Sequence, residues 1–340
     1  MTLPFKESIT LISKLSSAKV FNAFTILLSY YLSRLTGKAI VWGLPFSVSI
    51  EPTTSCNLRC PECPSGKRNF TRPTGMLSME LFRSMIDEVY QRLIYLTLYF
   101  QGEPYLNPDF IPMVQYAASK KIYTSTSTNG HFLSPDMARQ TVESGLDRLI
   151  VSMDGTTQEV YEQYRVGGNL QKVLDGLKNL QLAKDNFGSS SPFVILQFIV
   201  FKPNEHQIME VNKLAEKYGV NEVKIKTAQI YDFENGNSMI PENEKFSRYQ
   251  KTTDGKFEIK NKLLSHCWRL WHASVMTWDG KIVPCCFDKD AHHIVGSMNG
   301  INFKQIWKGT AYQQFRNSVL RSRKEVDICS NCSEGTRVWV

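Results

Sequence analysis

Cys56, Cys60 and Cys63 stand together in one short stretch, with three and then two residues between them. Thiolates this close on a single loop can take three corners of a cubane [4Fe–4S] cluster and leave one iron without a protein ligand. Zinc competes, but a structural zinc site takes four ligands, and no His or Asp lies close enough in sequence to be an obvious fourth. The other five of the eight cysteines all lie beyond residue 266: Cys267, the adjacent pair Cys285 and Cys286, and Cys329-x2-Cys332. With Cys267 and one of the pair, the last two make a four-thiolate site compatible with zinc or with [4Fe–4S]. Disulfide frameworks belong to small secreted chains. This chain is large, and residues 1–10 are mixed polar with no short apolar run ending at a small-residue cleavage site. Reduced, metal-binding cysteines and a cytoplasmic location are therefore expected.

Other chemistry-bearing residues follow apolar runs. Gln101-Gly102-Glu103-Pro104 comes directly after the run at 93–100. Gly102 permits close backbone approach, and Glu103 offers a carboxylate to an ammonium group; alone, this would be only a turn. Ser127-Thr128-Asn129-Gly130 and Ser152-x-Asp154-Gly155 can hydrogen-bond ribose hydroxyls or simply build turns. Arg165 sits in the string YRVGGN. The six histidines show no metal-ligand spacing with one another, and the adjacent His292 and His293 read as loop residues.

The elements that must position these residues alternate. Strand-like runs at 47–53, 93–100, 122–128, 147–154, 193–201 and 222–227 are separated by helical patterns. Leu81, Phe82, Met85, Ile86, Val89 and Tyr90 mark one helix; others fall around 110–119 and 135–143, at Leu170–Leu180 spacing, and at Ile208, Val211, Leu214 and Tyr218 with Asn204 as its N-cap. Six such alternations predict an α/β fold, a partial (β/α)6 TIM-like barrel with its ligand site at the C-terminal strand ends. Residues 231–262 are polar and read as a linker. The expected organisation is an N-terminal helical segment at 1–45, the barrel at 46–230, that linker, and a small cysteine-rich domain at 263–340 held by metal.

A net charge of +8 would suit nucleic acid or anionic lipid, but no Lys/Arg-rich run of five or more occurs, so no nucleic-acid partner is expected. Residues 18–46 are apolar, aromatic and mildly basic. Their most apolar stretch, 20–32, is interrupted by Asn22, Thr25 and Ser29 and is too short to span a bilayer. A helix docked on the barrel is the first expectation. Peripheral membrane contact by an interfacial helix, with Lys19, Arg34 and Lys38 at the headgroups, is the second.

The string CNLRCPEC resembles the signature of the radical S-adenosylmethionine (radical SAM) superfamily, in which SAM chelates the open iron. Glu62 stands where an aromatic residue is usual. Gln101-Gly102-Glu103-Pro104 is similar to the family's GGEP turn for the SAM amino group, with Gln101 in place of the first glycine. The resemblance implies SAM contacts at Ser127, Asn129, Ser152 and Asp154, and at Arg165 for the SAM carboxylate. It covers about residues 45–227. The C-terminal text, CWRLWHASVMTWDGKIVPCCFD followed by HIVGSM and FKQIW, resembles the SPASM/twitch extension, whose cysteines bind auxiliary clusters. Five cysteines rather than seven imply one auxiliary [4Fe–4S] cluster on Cys267, Cys285, Cys329 and Cys332, with Cys286 spare or replacing Cys285. Trp268, Trp271 and Trp278 read as packing around it.

The implied activity is that of a radical SAM oxidoreductase. An electron from a reduced flavodoxin or ferredoxin-type donor reaches the first cluster, SAM is cleaved to methionine and a 5′-deoxyadenosyl radical, and that radical takes hydrogen from substrate. The auxiliary cluster then accepts the second electron. A peptide or other macromolecular substrate is the leading reading. A small sugar, cyclitol or lipid-linked substrate is the alternative, and a non-catalytic metal-binding module is the rival of another class. Asp288 and Lys226 are candidates for the final proton acceptor.

Overall fold

The computed structural model describes residues 5–335 and Val338; residues 1–4, part of the stretch read for a signal sequence, lie outside the described residues. The chain forms two compact units. One comprises Met1–Ser55, Phe70–Ser125 and Leu263–Val340; the other comprises Cys56–Asn69 and Thr126–Lys262.

Along the chain, helices α1 (Phe5–Ser13) and α2 (Ser17–Thr36) precede strand β1 (Ser47–Ile50), and the short α3 (Pro64–Lys67) follows it. Then come α4 (Met79–Val89), β2 (Tyr95–Thr97), α5 (Phe110–Ser119), β3 (Tyr123–Thr128), α6 (Pro135–Glu143) and β4 (Arg148–Ser152). The alternation continues with α7 (Gln158–Tyr164), α8 (Leu170–Asn186), β5 (Phe193–Val200), α9 (Ile208–Lys217) and β6 (Glu222–Thr227). Beyond it lie β7 (Tyr249–Lys251), β8 (Phe257–Ile259), α10 (Arg269–His272), β9 (Ala273–Met276), β10 (Lys281–Val283), β11 (Gly296–Ser297), α11 (Phe303–Lys308) and α12 (Thr310–Arg321).

All six expected strands form, and they pair in parallel as an alternating α/β pattern requires. In the first unit β1 pairs with β2 (Ser47 opposite Tyr95), and β2 with the start of β3 (Tyr95 opposite Tyr123). In the second, β5 lies between β4 (Leu149 opposite Val194) and β6 (Ile195 opposite Glu222). Strand β3 runs through the division and ends in the second unit. Helix starts follow local chemistry. Ser78 caps α4 by accepting from the Leu81 N–H at 3.2 Å, and Phe82, Met85, Ile86 and Val89 turn inward at helical spacing. Pro135 opens α6 behind the Ser134 cap.

Three expectations need correction. Asn204 does not cap α9. Its side chain accepts from the Phe201 N–H and donates to the Asp154 and Ile199 carbonyls, so it ties the turn after β5 to the end of β4. Residues 231–262 are not merely a linker, because β7 and β8 form an antiparallel hairpin there. Buried Tyr249 stacks on Phe233 at 4.5 Å, and its hydroxyl bonds both backbone groups of Ile230, so one aromatic pair gives this polar segment a core.

The third concerns the N-terminus. Helix α2 is docked, but its inner face rests on the C-terminal segment of its own unit. The Tyr30 hydroxyl bonds His266 at 2.9 Å, and Trp271 Nε1 donates to the Ile40 carbonyl at 2.9 Å. Strand β9 also pairs in parallel with β1, Ser47 opposite Ala273, and β10 and β11 extend it antiparallel. Lys19 is buried, and its ammonium donates to the Lys14 and Lys121 carbonyls, which removes it from the expected headgroup contacts.

Candidate functional site

In the second unit, the loop carrying Cys56, Cys60 and Cys63 packs all three thiols on one apolar cluster that includes Leu58, Tyr164, Phe201 and Ile230. Gly66 of α3 closes beneath the loop. A Cβ there would lie 2.5 Å from the Cys60 carbonyl oxygen, a distance no other residue tolerates without backbone movement. Arg165, at the end of α7, places Nη1 4.0 Å from Cys60 Sγ, while its Nε donates to Asp154 at 2.6 Å. Asp154 is fully buried at the end of β4, and its other oxygen accepts from the Ile199 N–H at 2.7 Å. Burial pushes the Asp154 carboxyl upward, and the Arg165 charge opposes that shift. Burial likewise raises the Cys60 thiol, again against Arg165.

The end of β3 reaches the same loop. Asn129 Nδ2 donates to Asn57 at 2.7 Å and lies 3.9 Å from Cys56 Sγ. Ser127 Oγ and Ser152 Oγ, on β3 and β4, are 3.5 Å apart. The structure thus gathers Ser127, Asn129, Ser152, Asp154 and Arg165 in the unit that holds the cysteine triplet. Glu62, the departure from the family pattern, accepts from the Tyr231 N–H at 2.9 Å. His131 and Asn57 carried no signal in the sequence. His131 accepts or donates to Asn129 at 3.0 Å and bonds the Asn169 N–H at 2.8 Å, holding Asn129 in place.

The turn Gln101–Pro104 belongs to the first unit. Gly102 has φ +74°, and a Cβ on it would lie 2.2 Å from the Thr53 carbonyl oxygen, so glycine is required for both reasons. Glu103 is buried, and its N–H donates at 2.8 Å to the carbonyl of Ser55, the residue preceding Cys56. Gln101 donates to the Phe100 carbonyl, but its Oε1 is buried with no hydrogen-bond partner. A stranded acceptor costs about 1–3 kcal/mol, and an ammonium such as that of SAM is a fitting donor for it.

The C-terminal cysteines also lie in the first unit. Cys267, Cys329 and Cys332 are buried, and Cys285 and Cys286 are half-buried. Arg323, 1% exposed, donates through Nη2 to Cys332 Sγ at 3.0 Å and to the Glu334 carbonyl at 2.6 Å. Its Nε and Nη1 are buried without a hydrogen bond of normal geometry, although its charge bears on Cys267 and Cys329 as well. Burial raises the Cys332 thiol to about 11, and the Glu334 N–H and Arg323 oppose it. Gly335 crosses close by: with φ +85°, a Cβ there would lie 2.4 Å from Cys267 Sγ. A guanidinium with spare donors facing buried thiols suits an anionic thiolate-bound cluster.

Of the adjacent pair, the Cys285 thiol is pushed well up, first by its bond to Cys286 and then by burial. Cys286 is held down to about 6 by the bonded Cys285 and lies 3.6 Å from Arg269 Nη1. Arg269 in turn pairs with Glu334. Sequence reading missed Arg323 and Arg269; basic residues flanking the C-x2-C pair and following Cys267 were the available signal. Among the described residues, no three His, Cys, Asp or Glu side chains converge as tightly as a single metal ion demands. Asp288 is buried, and its two oxygens accept the His292 and His293 N–H groups, pinning that loop. Trp271 is fully buried, packed on Tyr30 of α2.

Residues 50–215 match the radical SAM superfamily model, and residues 267–333 match SPASM, an iron–sulfur cluster-binding domain, together well over half of the chain. The mycofactocin maturase MftC of Mycobacterium ulcerans is 30% identical over 177 residues, 52% of this chain and 45% of that protein, so the chain spans less than half the length of this relative. PqqA peptide cyclase of Gluconobacter oxydans is 24% identical over 314 residues, 87% of this chain and 84% of that protein. Among solved structures, BtrN in complex with AdoMet and 2-DOIA has a TM-score of 0.55 at 18% identity, covering 87% of this chain and 95% of that one, a likeness of fold. The chain belongs to the radical SAM superfamily, carries a SPASM domain, and takes S-adenosylmethionine and [4Fe–4S] clusters as its cofactors.

Proposed function

We propose that the chain is a radical SAM oxidoreductase that modifies a peptide substrate, with two clusters of separate duty. The observation that carries this reading is that each of the two cysteine sets has its own guanidinium, half-buried Arg165 near Cys60 and buried Arg323 on Cys332. When bound, the SAM-side cluster would relay one electron from a reduced flavodoxin or ferredoxin-type donor to SAM, SAM would supply the 5′-deoxyadenosyl group that takes a substrate hydrogen atom, and the auxiliary cluster would be a sink for the second electron.

In this reading Cys56, Cys60 and Cys63 ligate the SAM-binding cluster. Gln101 Oε1 and Glu103 receive the SAM ammonium, Arg165 its carboxylate, and Ser127, Asn129 and Ser152 the ribose side. The Arg165–Asp154 pair fixes the guanidinium before SAM arrives, so less ordering cost falls on binding. Cys267, Cys285, Cys329 and Cys332 ligate the auxiliary cluster, and Arg323 offsets its negative charge. The peptide substrate is supported by the kinship with a PqqA peptide cyclase along most of both chains. A small alcohol substrate is the second reading, favoured by the Cys267-x17-Cys285 spacing, which resembles that of aminocyclitol dehydrogenase.

The test is turnover of anaerobically reconstituted enzyme with extract from cells grown in deuterium oxide, reading deuterium in 5′-deoxyadenosine by mass spectrometry. The peptide reading predicts that label transfer follows the peptide fraction and disappears after protease digestion. Transfer that follows the protease-resistant small-metabolite fraction would replace it with the second reading.

A further inference from the structure

Helix α2 is amphipathic in the inverted sense. Its buried face carries Asn22, Ser29 and Ser33 beside Ile26 and Tyr30. Those polar groups are satisfied internally: Asn22 Nδ2 donates to the Leu44 carbonyl at 2.8 Å, and Ser33 Oγ to the Ser29 carbonyl at 2.6 Å. Its exposed face carries Val20, Phe21, Phe24, Leu28, Tyr31 and Leu35, each between 43% and 84% exposed. At about 100° per residue, these six fall within one stripe roughly 100° wide. A helix covering a water-soluble core places such side chains inward. Here they point outward along the whole helix.

The charge around the stripe is one-sided. Glu7 is the sole carboxylate between residues 5 and 46, and it is buried, accepting from the Tyr123 hydroxyl at 2.7 Å. Lys14 and Lys19 are turned inward onto backbone carbonyls. Arg34 and Lys38 remain exposed at the C-terminal end of the stripe. Trp42, 52% exposed, follows them. Tyr and Trp are the residues that sit at headgroup depth. Among the described residues no single helix is long and apolar enough to cross a membrane, and α1 and α2 meet at a bend of 106°.

We propose that α2 docks this chain on an anionic lipid surface, lying in the plane of the interface. The apolar stripe enters the acyl boundary, and Arg34 and Lys38 meet acidic headgroups. The carboxylate-free exposed face selects this occupant over an acidic-and-basic protein surface. The inference is independent of the peptide reading above and stands or falls separately from it.

The test is flotation of the full-length, cluster-loaded enzyme with vesicles of phosphatidylcholine alone or mixed with phosphatidylglycerol. The expected result is co-flotation with the mixed vesicles, weakened by salt, and less with phosphatidylcholine alone. A variant with Phe21→Ser, Phe24→Ser, Leu28→Ser and Leu35→Ser should lose vesicle binding by more than about tenfold. It should keep wild-type iron content and circular dichroism, since those side chains are exposed. Arg34→Gln with Lys38→Gln should erase only the preference for the acidic lipid. Failure of the wild-type enzyme to float with either vesicle would overturn the proposal. So would a wild-type dimer that the four-serine variant turns into a monomer, because the stripe would then bind a second copy.

Discussion

Cys60 and Cys332 are both buried thiols with a guanidinium close by, yet the two settings use that charge differently. Arg165 is committed first to Asp154, at 2.6 Å, and reaches Cys60 only at 4.0 Å. The pair is nearly neutral, so the region around the triplet keeps an anchored cation without a surplus of charge. Among the described residues Arg323 has no carboxylate partner. It donates to Cys332 at 3.0 Å and to a backbone carbonyl, and leaves two nitrogens over. The first arrangement suits a site that must also receive a zwitterionic cosubstrate. The second devotes a full positive charge to thiolates that would otherwise resist ionisation, and it fits a cluster closed to substrate.

The largest expected effects separate the two duties outright. Cys60→Ala should abolish 5′-deoxyadenosine formation while about four irons remain; Cys332→Ala should keep SAM cleavage but stop substrate oxidation. Liquid chromatography of the nucleoside and product reads both. If Cys332→Ala lost SAM cleavage with its other cluster intact, or Cys60→Ala still oxidised substrate, the division of labour would be wrong.

Next come the two arginines. Arg165→Leu leaves a fully buried Asp154 without its partner and should destabilise the fold by about 3–5 kcal/mol, measured by denaturant unfolding. Arg323→Leu strands no carboxylate and should cost less stability. Instead it should lower the auxiliary cluster's potential by about 60 mV or more, a tenfold change for one electron, seen in an EPR-monitored redox titration. An unchanged potential would leave Arg323 with a packing role only.

The glycines sharpen the contrast at smaller scale. Gly335→Ala should deplete the auxiliary cluster, since its Cβ would meet Cys267 Sγ at 2.4 Å. Gly102→Ala should raise the Kd for SAM without lowering iron content, because the clash is with the Thr53 carbonyl in the turn proposed above to receive the SAM ammonium.

The smallest effect is a pH slope. Burial holds the His272 imidazole down to about 3, against its ordinary 6.5. The depressed folded value means that stability is present above about pH 6.5 and is lost as pH falls toward 3, because the unfolded chain takes the proton first. His272→Gln should flatten that loss between pH 7 and 5 in denaturant unfolding, and an unaltered slope would contradict the assignment.

The two regions also differed in how much their sequence disclosed. The triplet announces itself because its cysteines sit on one loop, and β1 to β6 are legible because parallel strands buried on both faces, such as Phe193–Val200, read as continuous apolar runs. Arg165 was found through the family pattern. The C-terminal segment hides its structure: β9, β10 and β11 are only two to four residues long. Its docking on α2 through Tyr30–His266 and Trp271–Ile40 joins residues more than two hundred positions apart, which no local periodicity encodes. Arg323 carried no motif; its role follows from burial beside thiols, a tertiary fact. The hairpin of β7 and β8 was masked by polar composition, since one stacked aromatic pair supplies its core.

The most direct test of two separately tuned clusters is Mössbauer spectroscopy with iron and sulfide analysis on protein purified without oxygen, before and after SAM. The account predicts about eight irons per chain in two [4Fe–4S] clusters, with only one cluster's spectrum perturbed by SAM. About four irons together with one zinc, or SAM perturbing both clusters, would contradict it.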